Sequence, residues 1–215
     1  MKTFIFYYLA LLVVILWSCQ NDLKHENNTI QKANADTIET EIPSNKFGRP
    51  TYDYRAFVKL VAALGLEDIS NGYDSIQIRV LRPLKSHKKV QLIVMKKIKG
   101  NKWEGVAYNF RVTGSLDSNN IKVTDTARRF LQPQSGWNFF STTILNLQIT
   151  SLPDIDKING YEIGADGDLF TFEIATKKYY RFYQYWEPKS FENKFWQAKN
   201  VVKIFELIDK EFNFQ

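Results

Sequence analysis

The chain has one cysteine and two histidines in 215 residues, and these scarcities argue against a nucleophile–histidine triad and against a Cys/His metal site. Catalysis by a nucleophile and base needs an activated Ser, Cys or Thr beside a base, which is usually histidine. His25 lies in a polar N-terminal stretch and His87 in the basic turn Lys85-Ser86-His87-Lys88-Lys89, so both read as solvated loop residues. Cys19 has no partner for an internal disulfide, and no Cys/His cluster exists to hold zinc. A Gly-rich phosphate loop, an internal repeat and a low-complexity segment are also missing. The reading is of a chain with no cofactor, no metal and no triad. The chain also carries two acidic sets. Asp166-Gly167-Asp168 offers two carboxylates to calcium, but the apolar stretch Leu169 to Phe172 lacks the further oxygen ligands and distal Glu of a calcium loop. Glu173 with Glu187 or Asp168 could serve as the carboxylate pair of a glycan hydrolase.

What the sequence does carry begins at its N-terminus. Lys2 precedes an apolar run from Phe4 to Trp17 that ends in Leu16-Trp17-Ser18-Cys19. The run is shorter than the roughly 20 residues of a membrane-spanning helix, so it reads as the h-region of an export signal. Its end resembles the lipobox of bacterial lipoproteins, with Trp17 standing where that pattern carries a smaller residue. The resemblance implies cleavage between Ser18 and Cys19, diacylglycerol on the Cys19 thiol and often an acyl chain on the new amino group. Two or three chains give the stable anchoring that one does not. Gln20 stands where inner-membrane lipoproteins carry aspartate. Asp22 and Glu26, interrupted by Lys24, resemble a weak form of the acidic surface-export signal of Bacteroidota lipoproteins. The expected address is therefore exported and lipid-anchored in the outer membrane, on its periplasmic or surface face.

Residues 1–18 are read as the signal peptide and 19–50 as a lipidated cysteine with a disordered tether. The segment Gln20 to Arg49 is polar, with few apolar residues and no period, and cannot bury enough surface to fold. As a flexible coil of about 30 residues it would reach roughly 30 Å. Residues 51–215 form one domain, for which 44% hydrophobic and 15% aromatic residues supply a core. From Thr51 onward 24 Lys and Arg face 18 Asp and Glu, an excess of 6. That balance favours anionic partners such as headgroups, an acidic glycan or an acidic protein. The exported address argues against nucleic acid.

Within the domain, Asp53 is a candidate N-cap for a helix with Phe57, Leu60, Val61 and Leu64 on one face and Gly65 at its end. Strands are expected over Ser75–Leu81, Val90–Ile98 and Trp103–Val112, the last two as a hairpin across Lys99-Gly100-Asn101-Lys102. A short fourth strand is expected at Ile121–Thr124. Trp137 to Leu147 has helical spacing, and Leu169–Ala175 with Tyr179–Trp186 reads as a second hairpin. From about Ser190, the residues Phe191, Phe195, Ala198, Val202, Phe205, Ile208 and Phe212 step by three or four, the mark of a long helix with one buried stripe. The fold class is α+β. A mostly antiparallel sheet is built from two hairpin regions, packed by an N-terminal helix and a long C-terminal helix, with the helices on one side.

The most unusual stretch is Tyr179 to Trp186. In a strand, Tyr179, Arg181, Tyr183 and Tyr185 share one face, while Tyr180, Phe182, Gln184 and Trp186 share the other. With Phe182 and Trp186 assigned to the core beneath the last helix, the tyrosine–arginine face is the candidate binding face, suited to a protein partner or to sugar rings. The competing reading packs that face under a loop. The hairpin, with its Asp-Gly, Glu173, Tyr180-Arg181 and Tyr185, is similar to that of uncharacterised bacterial lipoproteins, a likeness to which no activity attaches. The expected function is a non-catalytic, lipid-anchored binding or interaction protein of the cell envelope. The alternatives are an inhibitor or immunity-like lipoprotein against an exported toxin, and an envelope glycan hydrolase.

Overall fold

The computed structural model describes residues 38–84, 89–114, 121–164 and 166–214. The signal peptide, Ser18, Cys19, His25 and His87 lie outside the described residues. Among the described residues seven strands form one sheet: β1 (Glu39–Glu41), β2 (Ile76–Pro83), β3 (Lys89–Ile98), β4 (Lys102–Thr113), β5 (Lys122–Leu131), β6 (Leu169–Thr176) and β7 (Tyr179–Trp186), in the order β1-β7-β6-β2-β3-β4-β5. All pairings are antiparallel except β1 with β7. The two expected hairpin regions are present, and β2 joins them by pairing with β3 on one side and β6 on the other, with Ile78 opposite both Met95 and Ile174.

The central strands alternate between two buried faces, so the sheet has a core on each side. On one face Ile78, Val80, Ile93, Met95, Phe172 and Ile174 pack under helix α2 (Trp137–Asn146), helix α4 (Trp196–Phe212) and the segment between α2 and β6. On the other, Leu92, Val94, Phe110, Ala175, Tyr180 and Phe182 pack under helix α1 (Tyr52–Ala63). The helices therefore lie on both sides of the sheet rather than one. A strand buried on both faces reads as a nearly continuous apolar run, and β3 has that pattern in Val90 to Met95.

Four local differences from the sequence expectation have physical causes. Helix α1 is capped by Thr51, whose hydroxyl accepts from the Tyr54 amide at 3.4 Å, which leaves Asp53 inside the first turn. The described fold begins at Ile38, inside the stretch assigned to the tether. Glu41 closes an ion pair with Arg181, and Ile38 and Ile42 pack at the margin of the α1 core. A three-residue edge strand that depends on its partner carries too little periodicity to be read. Strand β5 runs on to Leu131 through a bulge in which Asp125 takes φ 51° and the register shifts between Asn109 and Arg111. Almost every residue of β5 is exposed, so no alternation marks it. The long helix starts at Trp196, after a separate turn α3 (Pro188–Phe191), because Phe195 is extended at φ −126° and ψ 124°.

Candidate functional site

The tyrosine–arginine face of β7 is turned into the molecule. Tyr183 and Tyr185 are fully buried, and the carbonyls of the segment after α2 take their polar tips. The Tyr183 hydroxyl donates to Ile149 O at 2.5 Å and the Tyr185 hydroxyl to Pro153 O at 2.8 Å. The Arg181 guanidinium donates to Thr150 O at 2.6 Å, Leu152 O at 2.9 Å and the Glu41 carboxylate at 2.5 Å. Tyr179 is partly buried against the same core and borders a shallow hollow with Glu39, Glu41 and Ser151. The candidate binding face Tyr179, Arg181, Tyr183 and Tyr185 is thus a clamp for residues 149–153. Phe182 is under α1, not under the last helix, and packs against Phe57 and Tyr54 with ring centroids 5.3 and 5.1 Å apart. The assignment inverts for Phe182 because a second helix, α1, covers its face, whereas Trp186 packs, as expected, against the cluster under α4 and lies 6.0 Å from Phe191 between ring centroids.

Burial raises both hydroxyls well above the ordinary tyrosine range. Glu41 is held below the usual carboxylate range, since hydrogen bonds from Lys157 and Arg181 outweigh the partial burial that opposes ionisation. Asp154, in the same segment, accepts from the Gln184 amide at 2.9 Å and the Asp156 amide at 3.0 Å, and burial pushes its carboxyl up to about 6.

Glu173 does not converge with Asp168 or Glu187, the carboxylates considered with it for glycan hydrolysis. Glu173 lies five residues along β6 from Asp168, about 17 Å at strand rise, beyond the roughly 10 Å limit for a working pair. Glu173 is also committed. It pairs with Arg79 at 2.9 Å and accepts from the Tyr180 hydroxyl at 2.8 Å, all three being buried. Arg79 also donates to Glu67 O at 2.8 Å. With its amide oxygen toward the guanidinium, Gln77 accepts from Arg79 Nη2 at 2.8 Å and Nε at 2.9 Å. Every strong donor and acceptor of the cluster is matched, which is the arrangement of a structural network. At the other end of the hairpin Glu187 accepts from the Asp168 amide at 2.6 Å and closes the loop onto itself. Among the described residues no group of three or more His, Cys, Asp or Glu side chains is placed to hold a metal ion.

Helix α1 leaves part of its face of the sheet open. Beyond the loop Gly65–Glu67 lies a cleft of about 380 Å³ along β3, β4 and β5, with Val94, Val106 and Tyr108 along it and Arg128 and Phe130 on its outer side. Phe130 is 75% exposed. The Arg128 guanidinium lies over two rings, 4.8 Å from the centroid of Phe130 and 5.8 Å from that of Tyr108. Among the described residues no carboxylate comes within ion-pair distance of it, whereas neighbouring Lys96 is paired with Glu104 at 3.0 Å. The result is a rigid strand surface that presents an unneutralised cation between two aromatic faces. The sequence reading missed it because Arg128 and Phe130 lie beyond the expected end of the fourth strand. The available signal was the run Thr124 to Phe130, which ends in Arg-Arg-Phe beside a strand carrying Tyr108.

No protein-family model matches the chain, and the curated proteins and the solved structures yield no match either. A reading of function therefore rests on the geometry.

Proposed function

We propose that the protein is a lipid-anchored, non-catalytic binding protein of the cell envelope, held through Cys19, and that it takes a protein partner in the cleft along β3–β5. The observation that carries this reading is the Tyr108–Arg128–Phe130 platform. A large apolar ring left in water on a rigid strand, with an unpaired guanidinium stacked on it, has the composition of an interface anchor. Arg128 selects for a carboxylate or other acidic group on that partner, and the surrounding valines select for an apolar neighbour. The export signal and lipobox resemblance support the anchor, and the buried, internally satisfied carboxylates support a non-catalytic role.

The test is photo-crosslinking in cells from a reactive residue placed at position 130, with Lys199 on α4 as the control position. A discrete protein adduct at 130 that is absent at 199, and lost when Arg128→Ala is added, supports the reading. Identical adducts at both positions, or none at 130, remove it. Mass spectrometry of the N-terminal peptide reads acylation of Cys19 separately.

A further inference from the structure

We propose that the end of the sheet where the chain enters the domain is a contact surface for anionic lipid headgroups. The inference rests on the anchor reading above, but its charge and geometry belong to the folded domain. Ile76, the first residue of β2, is opposite both Lys97 and Thr176, so the β3–β4 turn and the β6–β7 turn lie at the same end of the sheet. Those turns carry Lys97, Lys99, Lys102, Lys177 and Lys178, and among the described residues none of the five forms an ion pair. Lys99, Lys102, Lys177 and Lys178 are exposed. A broad hollow of about 700 Å³ separates the two turns, bordered by Lys97, Lys99 and Lys177 together with Glu67 and Asp74. With Glu39, three carboxylates face five unpaired lysines, and the end as a whole stays positive.

The chain enters at this same end. Strand β1 runs parallel to β7 with Glu39 opposite Tyr179, and the Glu39 amide donates to Lys178 O at 3.0 Å. Ile38 sits against Gly72, where an added Cβ would come within 2.7 Å of its Cδ1. The point at which residues 1–37 join the domain is therefore fixed beside the lysines. Eighteen residues separate Cys19 from Ile38, so even a fully extended connection spans at most about 65 Å. An anchored chain is attached at this end, and clustered lysines beside the attachment are attracted to anionic headgroups. In that pose the strands stand away from the membrane, and the cleft along β3–β5, on a face of the sheet, opens sideways to a partner.

The experiment uses the unacylated mature chain, residues 19–215, so that binding reports the surface and not the lipid. Its partitioning is measured on vesicles of phosphatidylcholine alone and with about 30% phosphatidylglycerol. Each is run at low salt and at about 0.5 M salt, where the screening length falls to roughly 4 Å. Binding to the anionic vesicles alone, lost at high salt, is expected. The variant Lys99→Gln, Lys102→Gln, Lys177→Gln, Lys178→Gln should lose at least about tenfold of it. A control of equal charge, Lys122→Gln, Lys199→Gln, Lys203→Gln, Lys210→Gln, should keep most of it, and circular dichroism confirms that both variants are folded. Equal losses in the two variants would overturn the proposal, as would binding to neutral vesicles or none to anionic ones. Tighter capture by soluble polyglutamate than by vesicles would assign the lysines to an acidic protein instead. If Cys19 proves unmodified in native membranes while the anionic binding persists, the anchor reading fails and the surface stands.

Discussion

Arg79 and Glu173 stand directly opposite each other across the β2–β6 pairing, and their side chains form a buried ion pair at 2.9 Å beneath the loop that follows α1. The pair sits where the two hairpin regions of the sheet are joined. Burial pushes the Glu173 carboxyl up, against the pull of Arg79 and the Tyr180 hydroxyl. Removing one member leaves the charge of the other buried without its counter-ion. Arg79→Met or Glu173→Leu alone should each cost about 3–5 kcal/mol. The double variant should cost clearly less than the sum. Urea unfolding of the native protein and the three variants gives the coupling, and strict additivity would show that the pair is not a unit.

The clamp on residues 149–153 yields a separate expectation. Tyr183→Phe loses one buried hydrogen bond to Ile149 O, worth about 1 kcal/mol. Arg181→Ala loses two carbonyl contacts and one of the two cationic partners of Glu41 and should cost about 2–3 kcal/mol. Both should speed amide hydrogen exchange in the segment 147–158, leaving exchange in β3 and β4 nearly unchanged. Crosslinking from position 130 should survive Tyr183→Phe, since the clamp and the cleft lie on opposite faces of the sheet. Loss of that adduct in this mild variant would return the partner to the β7 face.

These two sites show what the sequence could reveal. Strands β2, β3, β4, β6 and β7 were legible because each carries its own apolar pattern and ends at a Pro or a polar turn. The long helix was legible in its stripe Ala198, Phe205, Ile208 and Phe212, all buried. Which face of β7 meets which helix was not legible. Tyr180, Phe182, Tyr183 and Tyr185 are equally suited to burial, and only the long-range placement of α1 and of residues 149–153 decides between them. The cleft was hidden for a related reason: an exposed edge strand such as β5 has no buried face to impose a period, so Arg128 and Phe130 lay past the last visible strand.

Asp154 gives the stability a pH dependence of unusual sign. Its carboxyl is raised to about 6 by burial, against the hydrogen bonds from the Asp156 and Gln184 amides, with the Asp156 charge adding to the rise and Lys157 opposing it. Tyr185 also faces it and stays neutral throughout this range. In the unfolded chain the group releases its proton near its ordinary value, about 3.9. Between those values the folded state holds the extra proton. The contribution is therefore complete below about pH 4 and is lost as pH rises through 6. It is worth about 3 kcal/mol, for a rise of some two pH units. Asp154→Asn should flatten this part of the curve. Stability measured by urea from pH 4 to pH 7 in both proteins checks it. Equal slopes would show that Asp154 ionises normally in the folded state.

The close approach of β4 to α2 sets the last expectation. Gly105 sits opposite Leu131 on β5, and a Cβ added there would lie 2.7 Å from Trp137 Cη2 and 3.3 Å from the Leu131 Cβ. The indole has little room to retreat, since it packs edge-on against Phe140 at 5.8 Å and tilts against Phe212 at 6.0 Å between ring centroids. Those rings join α2 to the C-terminal end of α4. Gly105→Ala should therefore push Trp137 off its site at a cost of about 1–3 kcal/mol, with a change in the near-ultraviolet circular dichroism of the aromatic cluster. Trp137→Phe removes the outer ring that the new methyl meets and leaves a smaller loss of packing. In that background Gly105→Ala should cost measurably less than in the native one. If the methyl is equally harmful in both backgrounds, contact with Trp137 is not what requires glycine at this position. The strand's approach to the Leu131 Cβ is then the constraint.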